Sequence, residues 1–131
     1  MVSGGKIRIY YKERGTAMPY IGTRTTVKIS PEKEIAIKEK LGKAIEAIPG
    51  KTEAWLMCEF SDCCRLWFKG DNSLPSAYVE VKLLGKADRE YLEKLTGIIC
   101  KILSDELSVP SDRTYVKYEE CEHWGWNNMN F

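Results

Sequence analysis

The chain has 131 residues, of which 44% are hydrophobic and 30% are charged. That is enough for one compact domain with a core, and too little for two. Its 20 basic and 19 acidic residues leave a formal net charge of +1, so charge gives no reason to expect nucleic acid or an anionic membrane as a partner. No apolar run is long enough to span a bilayer, and residues 1–6 lack the apolar stretch of a signal peptide. We therefore expect a cytoplasmic protein, with export independent of a signal peptide as the alternative.

The first half of the chain predicts a strand, a helix and a second strand. Tyr20–Val27 is rich in β-branched residues and predicts the first strand. Ser30-Pro31 suits the cap and first position of a helix, apolar residues then recur at helical spacing, and Pro49-Gly50 ends the pattern. The largely apolar run Ala54–Phe60 predicts the next strand, and the polar residues 69–73 predict a turn or loop.

The second half repeats this order. Ala77–Leu84 predicts a strand, Leu92–Leu103 carries the spacing of a second amphipathic helix, and Thr114–Tyr118 predicts a final strand. The fold class is therefore α+β, with two βαβ repeats forming a mixed four-stranded sheet and two helices on one face. The other face of such a sheet still needs cover, which favours an oligomer.

Cysteine and histidine usage gives no indication of a metal or redox site. The five cysteines are Cys58, Cys63, Cys64, Cys100 and Cys121. They contain no Cys-x-x-Cys pair, and His123 is the single histidine of the chain, so we expect no zinc site and no disulfide framework. Cys58 and Cys100 are interpreted as reduced thiols that act as small apolar side chains.

Five short segments carry a resemblance to a known family. They are Met18-Pro19, Pro49-Gly50-Lys51, Leu84-Gly85-Lys86, Ser111-Asp112-Arg113-Thr114-Tyr115 and Gly125-Trp126-Asn127-Asn128. In this order and at nearly this spacing, they resemble the macrophage migration inhibitory factor family of the tautomerase superfamily. The resemblance makes residues 19–131 a domain of that family and residues 1–18 an N-terminal extension.

The resemblance implies a homotrimer whose three sheets surround a central channel, with active sites at the subunit interfaces. In the family the catalytic group is an amino-terminal proline, and no cofactor takes part. A terminal amine titrates near neutrality, and an apolar pocket lowers its pKa because desolvation disfavours the ammonium form. Such an amine can move a proton between the α-carbon and the enol oxygen of a small aromatic 2-keto acid such as phenylpyruvate.

Residue by residue, the resemblance makes Pro19 the base and Lys51 the cation that holds the substrate carboxylate. Leu84 would supply a main-chain contact, and Tyr115 would reach the site from the neighbouring subunit. The apolar pocket positions are matched by Trp55, Trp124 and Phe131. On the residues alone, Lys51 is a solvated lysine in a turn, Tyr115 is an ordinary strand tyrosine, and the aromatic residues suit packing between subunits equally well.

Two positions depart from the mammalian members of the family. Lys117 stands where they carry an asparagine, so it would add a second positive charge to the pocket and alter substrate preference. Ser76–Val79 stands in place of a Cys-x-x-Cys segment. Any thiol–disulfide activity of relatives should therefore be absent here.

The leading segment is the larger departure, because any residue attached to Pro19 turns its nitrogen into a tertiary amide without useful basicity. Two interpretations stay open. Met18 is the native start, preceded by a purine-rich coding tract over residues 12–15; or residues 1–18 are a genuine extension of an inactive relative. In the second case the alternating Val2, Ile7, Ile9 and Tyr11 would suit an edge strand.

Two functions are therefore expected. The first is a phenylpyruvate-type keto–enol tautomerase that uses Pro19 after processing. The alternative is a cytokine-like trimeric protein that binds a protein receptor with little or no turnover.

Overall fold

The computed structural model describes residues 18–131, and four strands in that range form one mixed sheet. The strands are β1 (Pro19–Thr25), β2 (Met57–Ser61), β3 (Ala77–Leu84) and β4 (Thr114–Cys121). Their order across the sheet is β2-β1-β3-β4. Strand β1 is parallel to β2 and antiparallel to β3, and β3 is parallel to β4. The predicted mixed four-stranded sheet is confirmed.

Two long helices complete the α+β fold: α1 (Pro31–Ala44) and α2 (Arg89–Leu107). Helix α1 begins as predicted, because the Ser30 hydroxyl accepts a hydrogen bond from the Lys33 N–H at 3.2 Å and caps the first turn. Short 3-10 turns follow at Ile45–Ala47, Glu53–Trp55 and Ser111–Arg113. Within residues 18–131, no helix is long and apolar enough to cross a membrane.

The boundaries of the elements differ from the sequence expectation at several points. Strand β2 begins at Met57 rather than Ala54, because Glu53–Trp55 forms a 3-10 turn first. A small hairpin, β5 (Gly125–Trp126) with β6 (Met129–Asn130), was not predicted. Its turn residues Asn127 and Asn128 both have positive φ, as a tight hairpin turn requires. The strand considered for residues 2–11 lies outside the described residues.

The core lies between the helices and one face of the sheet. On β3, the alternating residues Ala77, Val79, Val81 and Leu83 are buried, and they join Leu41 of α1 and Ile99 of α2 in one apolar cluster. Tyr78, Glu80 and Lys82 point to the opposite face and are only half-buried. The helices thus cover one face of the sheet, and the other face remains open in the single chain.

Arg113 fixes the long segment between β2 and β3. Its side chain is only 8% exposed, and its Nε donates to the Pro75 carbonyl at 3.2 Å and to the Ser76 hydroxyl at 3.0 Å. Its Nη2 donates to the Asp71 carbonyl at 2.8 Å. The guanidinium also lies 5.3 Å from the centre of the Phe68 ring. One charged side chain therefore ties three parts of this segment to the start of β4.

We expect Arg113→Met to lower the free energy of unfolding by about 2 to 4 kcal/mol, because it leaves buried carbonyl and hydroxyl groups without their charged donor. Equilibrium unfolding in urea at a fixed protein concentration measures this. Arg65→Met, at an exposed arginine of the same segment, is the matched control and should change stability by less than about 0.5 kcal/mol. Equal effects of the two substitutions would contradict the role given to Arg113.

Candidate active site

A cleft of about 630 Å³ opens at the end of the sheet where β1 begins. Its walls include Pro19, Tyr20, Trp55, Lys82, Trp124 and Trp126. These residues come from β1, from the turn before β2, from β3 and from the C-terminal hairpin. Pro19, Trp55 and Trp124, three of the residues expected at the site, are thus brought together within one chain.

Aromatic side chains form one wall of this cleft. The Trp55 and Trp126 rings meet edge to face, with centroids 5.1 Å apart and planes at 81°. The Phe131 ring stacks on Trp126 with centroids 6.1 Å apart, and the Phe131 N–H donates to the Trp124 carbonyl at 3.0 Å. Phe131 therefore supports the wall through Trp126. Trp126 also lines the cleft, and it is not among the residues expected at the site because its placement depends on the hairpin of β5 and β6.

Pro19 is the first residue of β1 and lies opposite Leu83 of β3. The carbonyl of the preceding residue, Met18, accepts a hydrogen bond from the Leu84 N–H at 3.3 Å. Met18 is only 3% exposed and lines the same cleft. The Met18–Pro19 peptide bond thus occupies the position where a free amino terminus at Pro19 would lie.

Lys51 lies beside this end of the sheet. It follows Gly50, whose φ of +84° allows the tight turn after the 3-10 turn, and the Lys51 residue is only 6% exposed. Its Nζ donates to the Leu84 carbonyl at 3.0 Å. Burial lowers the pKa of Lys51, and the nearby Cys121 thiol acts in the opposite direction. A cation therefore lies against Leu84, which in turn is hydrogen-bonded to the residue before Pro19.

Tyr20 is one of the residues that line the cleft. Its hydroxyl donates to Glu59 Oε1 on the neighbouring strand β2. This hydrogen bond, together with burial, raises the pKa of Tyr20 to about 12. The phenol therefore stays protonated at physiological pH and keeps the ring oriented along the sheet.

Tyr115 and Lys117 lie elsewhere in the chain. On β4 they pair with Tyr78 and Glu80 of β3, whereas Pro19 pairs with Leu83. Five positions of an extended strand span about 17 Å, so Tyr115 is far from Pro19 of its own chain. The residue is 63% exposed, and its ring contacts the Phe68 ring edge to face with centroids 5.2 Å apart. A single chain therefore brings neither residue into the cleft.

Comparison with known proteins identifies the family of this chain. Residues 18–130 match the family model of macrophage migration inhibitory factor. The chain belongs to the macrophage migration inhibitory factor family. That family lies in the tautomerase superfamily, and membership supports an isomerase-type activity or a related binding function at this coarse level.

Individual relatives agree with this membership. Macrophage migration inhibitory factor of Xenopus laevis is 30% identical over 64 residues, which are 47% of this chain and 56% of the frog protein. The match thus spans little more than half the length of that relative. The crystal structure of MIF2 of Leishmania major is similar with a TM-score of 0.82 and 31% identity, over 89% of this chain and 100% of that chain. The family homologue of Prochlorococcus marinus is similar with a TM-score of 0.72 and 26% identity, over 86% and 98%.

The burial of Lys51 predicts a pH-dependent contribution to stability. Because the folded state lowers its pKa below the ordinary 10.5, the unfolded chain binds more protons between the two values, and stability rises with pH there. The free energy of unfolding of the native chain should therefore increase relative to Lys51→Met as the pH approaches about 10.5. Denaturant unfolding of both proteins across this range measures the difference, and a difference that falls with pH would contradict the assignment.

Proposed function

We propose that this protein is a keto–enol tautomerase of small aromatic 2-keto acids such as phenylpyruvate, acting in the cytoplasm with the amine of Pro19 as general acid and base. One observation carries the proposal: Pro19 lies at an aromatic cleft, next to a strand end that holds the buried ammonium of Lys51. An apolar surface for the aryl group and a cation for the carboxylate are the two features that such a substrate needs. Superfamily membership supports the same class of reaction.

The chemistry needs one proton carrier. The free amine of Pro19 accepts the enol O–H proton, and the resulting ammonium delivers a proton to C3, the carbon α to the keto group, which yields the 2-keto acid. The aromatic wall favours the neutral amine, because desolvation disfavours an ammonium. Lys51 would hold the substrate carboxylate by a charge-assisted hydrogen bond.

The proposed active form begins at Pro19. While Met18 is attached, the nitrogen is an amide, and the Met18 carbonyl occupies the Leu84 N–H. Removal of Met18 would free both the amine and this N–H. Leu84 could then give a main-chain hydrogen bond to a substrate oxygen, the role that the family resemblance assigns to it. Residues 1–18 are accordingly proposed to be absent from the active enzyme.

We further propose that a homotrimer completes the site, with Tyr115 and Lys117 supplied by the neighbouring subunit. Both residues lie on β4, which is the edge of the sheet. Both are exposed in the single chain, and the sheet face opposite the helices is uncovered. Lys117 would add positive charge to the neighbour's site and so favour anionic substrates.

A second function remains a candidate because of the amide at Pro19. A chain that retains Met18 has no base at this position, and it would act as a cytokine-like trimer that binds a protein receptor. The two functions separate experimentally, since receptor binding would persist in the full chain whereas turnover would require the free proline.

We expect phenylpyruvate tautomerisation by a chain that begins at Pro19, and a rate lower by at least about 100-fold for the full chain, because an amide cannot replace the general base. The ultraviolet absorbance of the enol follows the reaction. A chain that begins at Pro19 but carries an N-acetyl group is the matched control for the loss of the amine alone. Activity of the acetylated chain equal to that of the free one would rule out the proline base, and absence of turnover in all three would favour the binding function.

Lys51→Ala in the chain beginning at Pro19 should lower kcat/KM for phenylpyruvate by about 10- to 100-fold, since a charge-assisted hydrogen bond to the carboxylate contributes about 1.5 to 3 kcal/mol. Steady-state kinetics measures this value. Lys28→Ala, which removes an exposed lysine before α1, is the control and should leave kcat/KM unchanged. A similar kcat/KM for Lys51→Ala and the unsubstituted protein would exclude Lys51 as the carboxylate site.

A further inference from the structure

Lys82 is a cation in the wall of the cleft that the proposed chemistry leaves unused. It lies on β3 directly opposite Tyr20, one position from the Leu83–Pro19 pair. Its neighbours Val81 and Leu83 are buried in the core, so Lys82 projects from the open face of the sheet. Its side chain is 40% exposed in the single chain, and it lines the cleft beside Pro19.

The Tyr20 ring forms a cation–π contact with the Lys82 ammonium. The Lys82 Nζ lies 5.5 Å from the centre of the Tyr20 ring, which is a favourable cation–π arrangement. The ring is held in turn by the hydrogen bond from its hydroxyl to Glu59. A Cβ at Gly22 would overlap the Tyr20 hydroxyl, so glycine at this position allows the ring to lie along β1. These contacts hold the Lys82 ammonium over the Tyr20 ring, which lines the cleft.

Along β3, two cations flank the position that pairs with Pro19. Lys51 is bonded to the carbonyl of Leu84, Pro19 lies opposite Leu83, and Lys82 follows on the other side. Two positions along a strand span about 7 Å. A 2-keto acid whose carboxylate lies at Lys51 and whose C3 lies at Pro19 would therefore extend its far end toward Lys82.

Glu80 is the acidic group that competes for Lys82. Its Oε2 lies 3.7 Å from the Lys82 Nζ, and both side chains are partly exposed. An ion pair of this length at the surface contributes little. The Lys82 ammonium is therefore available to a ligand anion that enters the cleft.

We propose that Lys82 is a specificity-determining residue, which selects 2-keto acids that carry a second anionic group at the end remote from the keto acid. This inference rests on the proposed tautomerase function, because it uses the same cleft and the same substrate orientation. Lys82 binds the remote anion and takes no part in proton transfer. Its effect should therefore appear mainly in KM.

The experiment compares phenylpyruvate with its 4-carboxy derivative, two substrates that differ by one anionic group. In the chain that begins at Pro19, kcat/KM should be higher for the carboxylated substrate, and Lys82→Met should lower it about tenfold through KM, while phenylpyruvate is little affected. Glu80→Gln should raise the preference for the carboxylated substrate, because it removes the competing carboxylate. High salt should reduce the preference for the carboxylated substrate, because Lys82 is partly exposed and salt screens its attraction to the remote anion.

Lys94→Met, at an exposed lysine on α2 in the helical layer, is the control and should leave both substrates unaffected. The inference is overturned if the native chain shows no preference, or if Lys82→Met changes both substrates by the same factor. Absence of turnover on both substrates would refute the proposed function instead. In that case quenching of tryptophan fluorescence by 4-carboxyphenylacetate and by phenylacetate tests Lys82 alone: tighter binding of the dianion that Lys82→Met abolishes supports the inference, and equal binding refutes it.

Discussion

The position of Pro19 in the sheet is the constraint on which the rest of the site depends. Proline has no N–H to donate to a strand ladder, so a central strand such as β1 can accept it only at its first position. At that position Pro19 pairs with Leu83, and the ladder continues through the Leu84 N–H and the Met18 carbonyl. At the same position Pro19 lines the cleft. Fold and candidate chemistry therefore depend on one register between β1 and β3.

The buried ammonium of Lys51 has an energetic cost at this end of the sheet. Burial of an ammonium is unfavourable unless it is hydrogen-bonded, and the Leu84 carbonyl supplies that bond at 3.0 Å. The cost remains visible in the lowered pKa of Lys51. An incoming carboxylate would relieve this cost by adding an opposite charge. A lysine in a solvated turn would gain much less from the same anion. The burial of Lys51 therefore supports its proposed role in binding the substrate carboxylate.

The sequence predicted those parts of the structure that depend on local rules. Ser30 and Pro31 located the start of α1, and the spacing of apolar residues predicted both helices and the sheet they cover. Strand β2 was placed too early because Ala54 and Trp55 are apolar, and composition cannot distinguish a short 3-10 turn from the first residues of a strand. The C-terminal hairpin was missed, although Asn127-Asn128 is a signal for a tight turn.

Some residues of the candidate site could likewise be assigned from the sequence, and others could not. Pro19, Trp55 and Trp124 could be assigned from the family resemblance, and one chain brings them together. Lys82 lies in none of the five segments that carry the resemblance, and Trp126 lies in one of them without being predicted at the site. Their proximity to Pro19 arises from strand register and from the placement of the hairpin. Tyr115 and Lys117 could be named from the sequence, but their proposed role depends on a second subunit. Local sequence patterns do not reveal how elements that are distant along the chain pair with one another.

The two lysines beside Pro19 also bear on how such a site would control its own base. A cation near an amine lowers the pKa of that amine, because like charges disfavour the ammonium form. In the proposed active form, Lys51 and Lys82 would thus help the aromatic wall to keep Pro19 neutral while the cleft is empty. A bound anion neutralises part of that charge and makes protonation of the amine easier. The substrate would then promote proton uptake by the base at the moment when the reaction requires it.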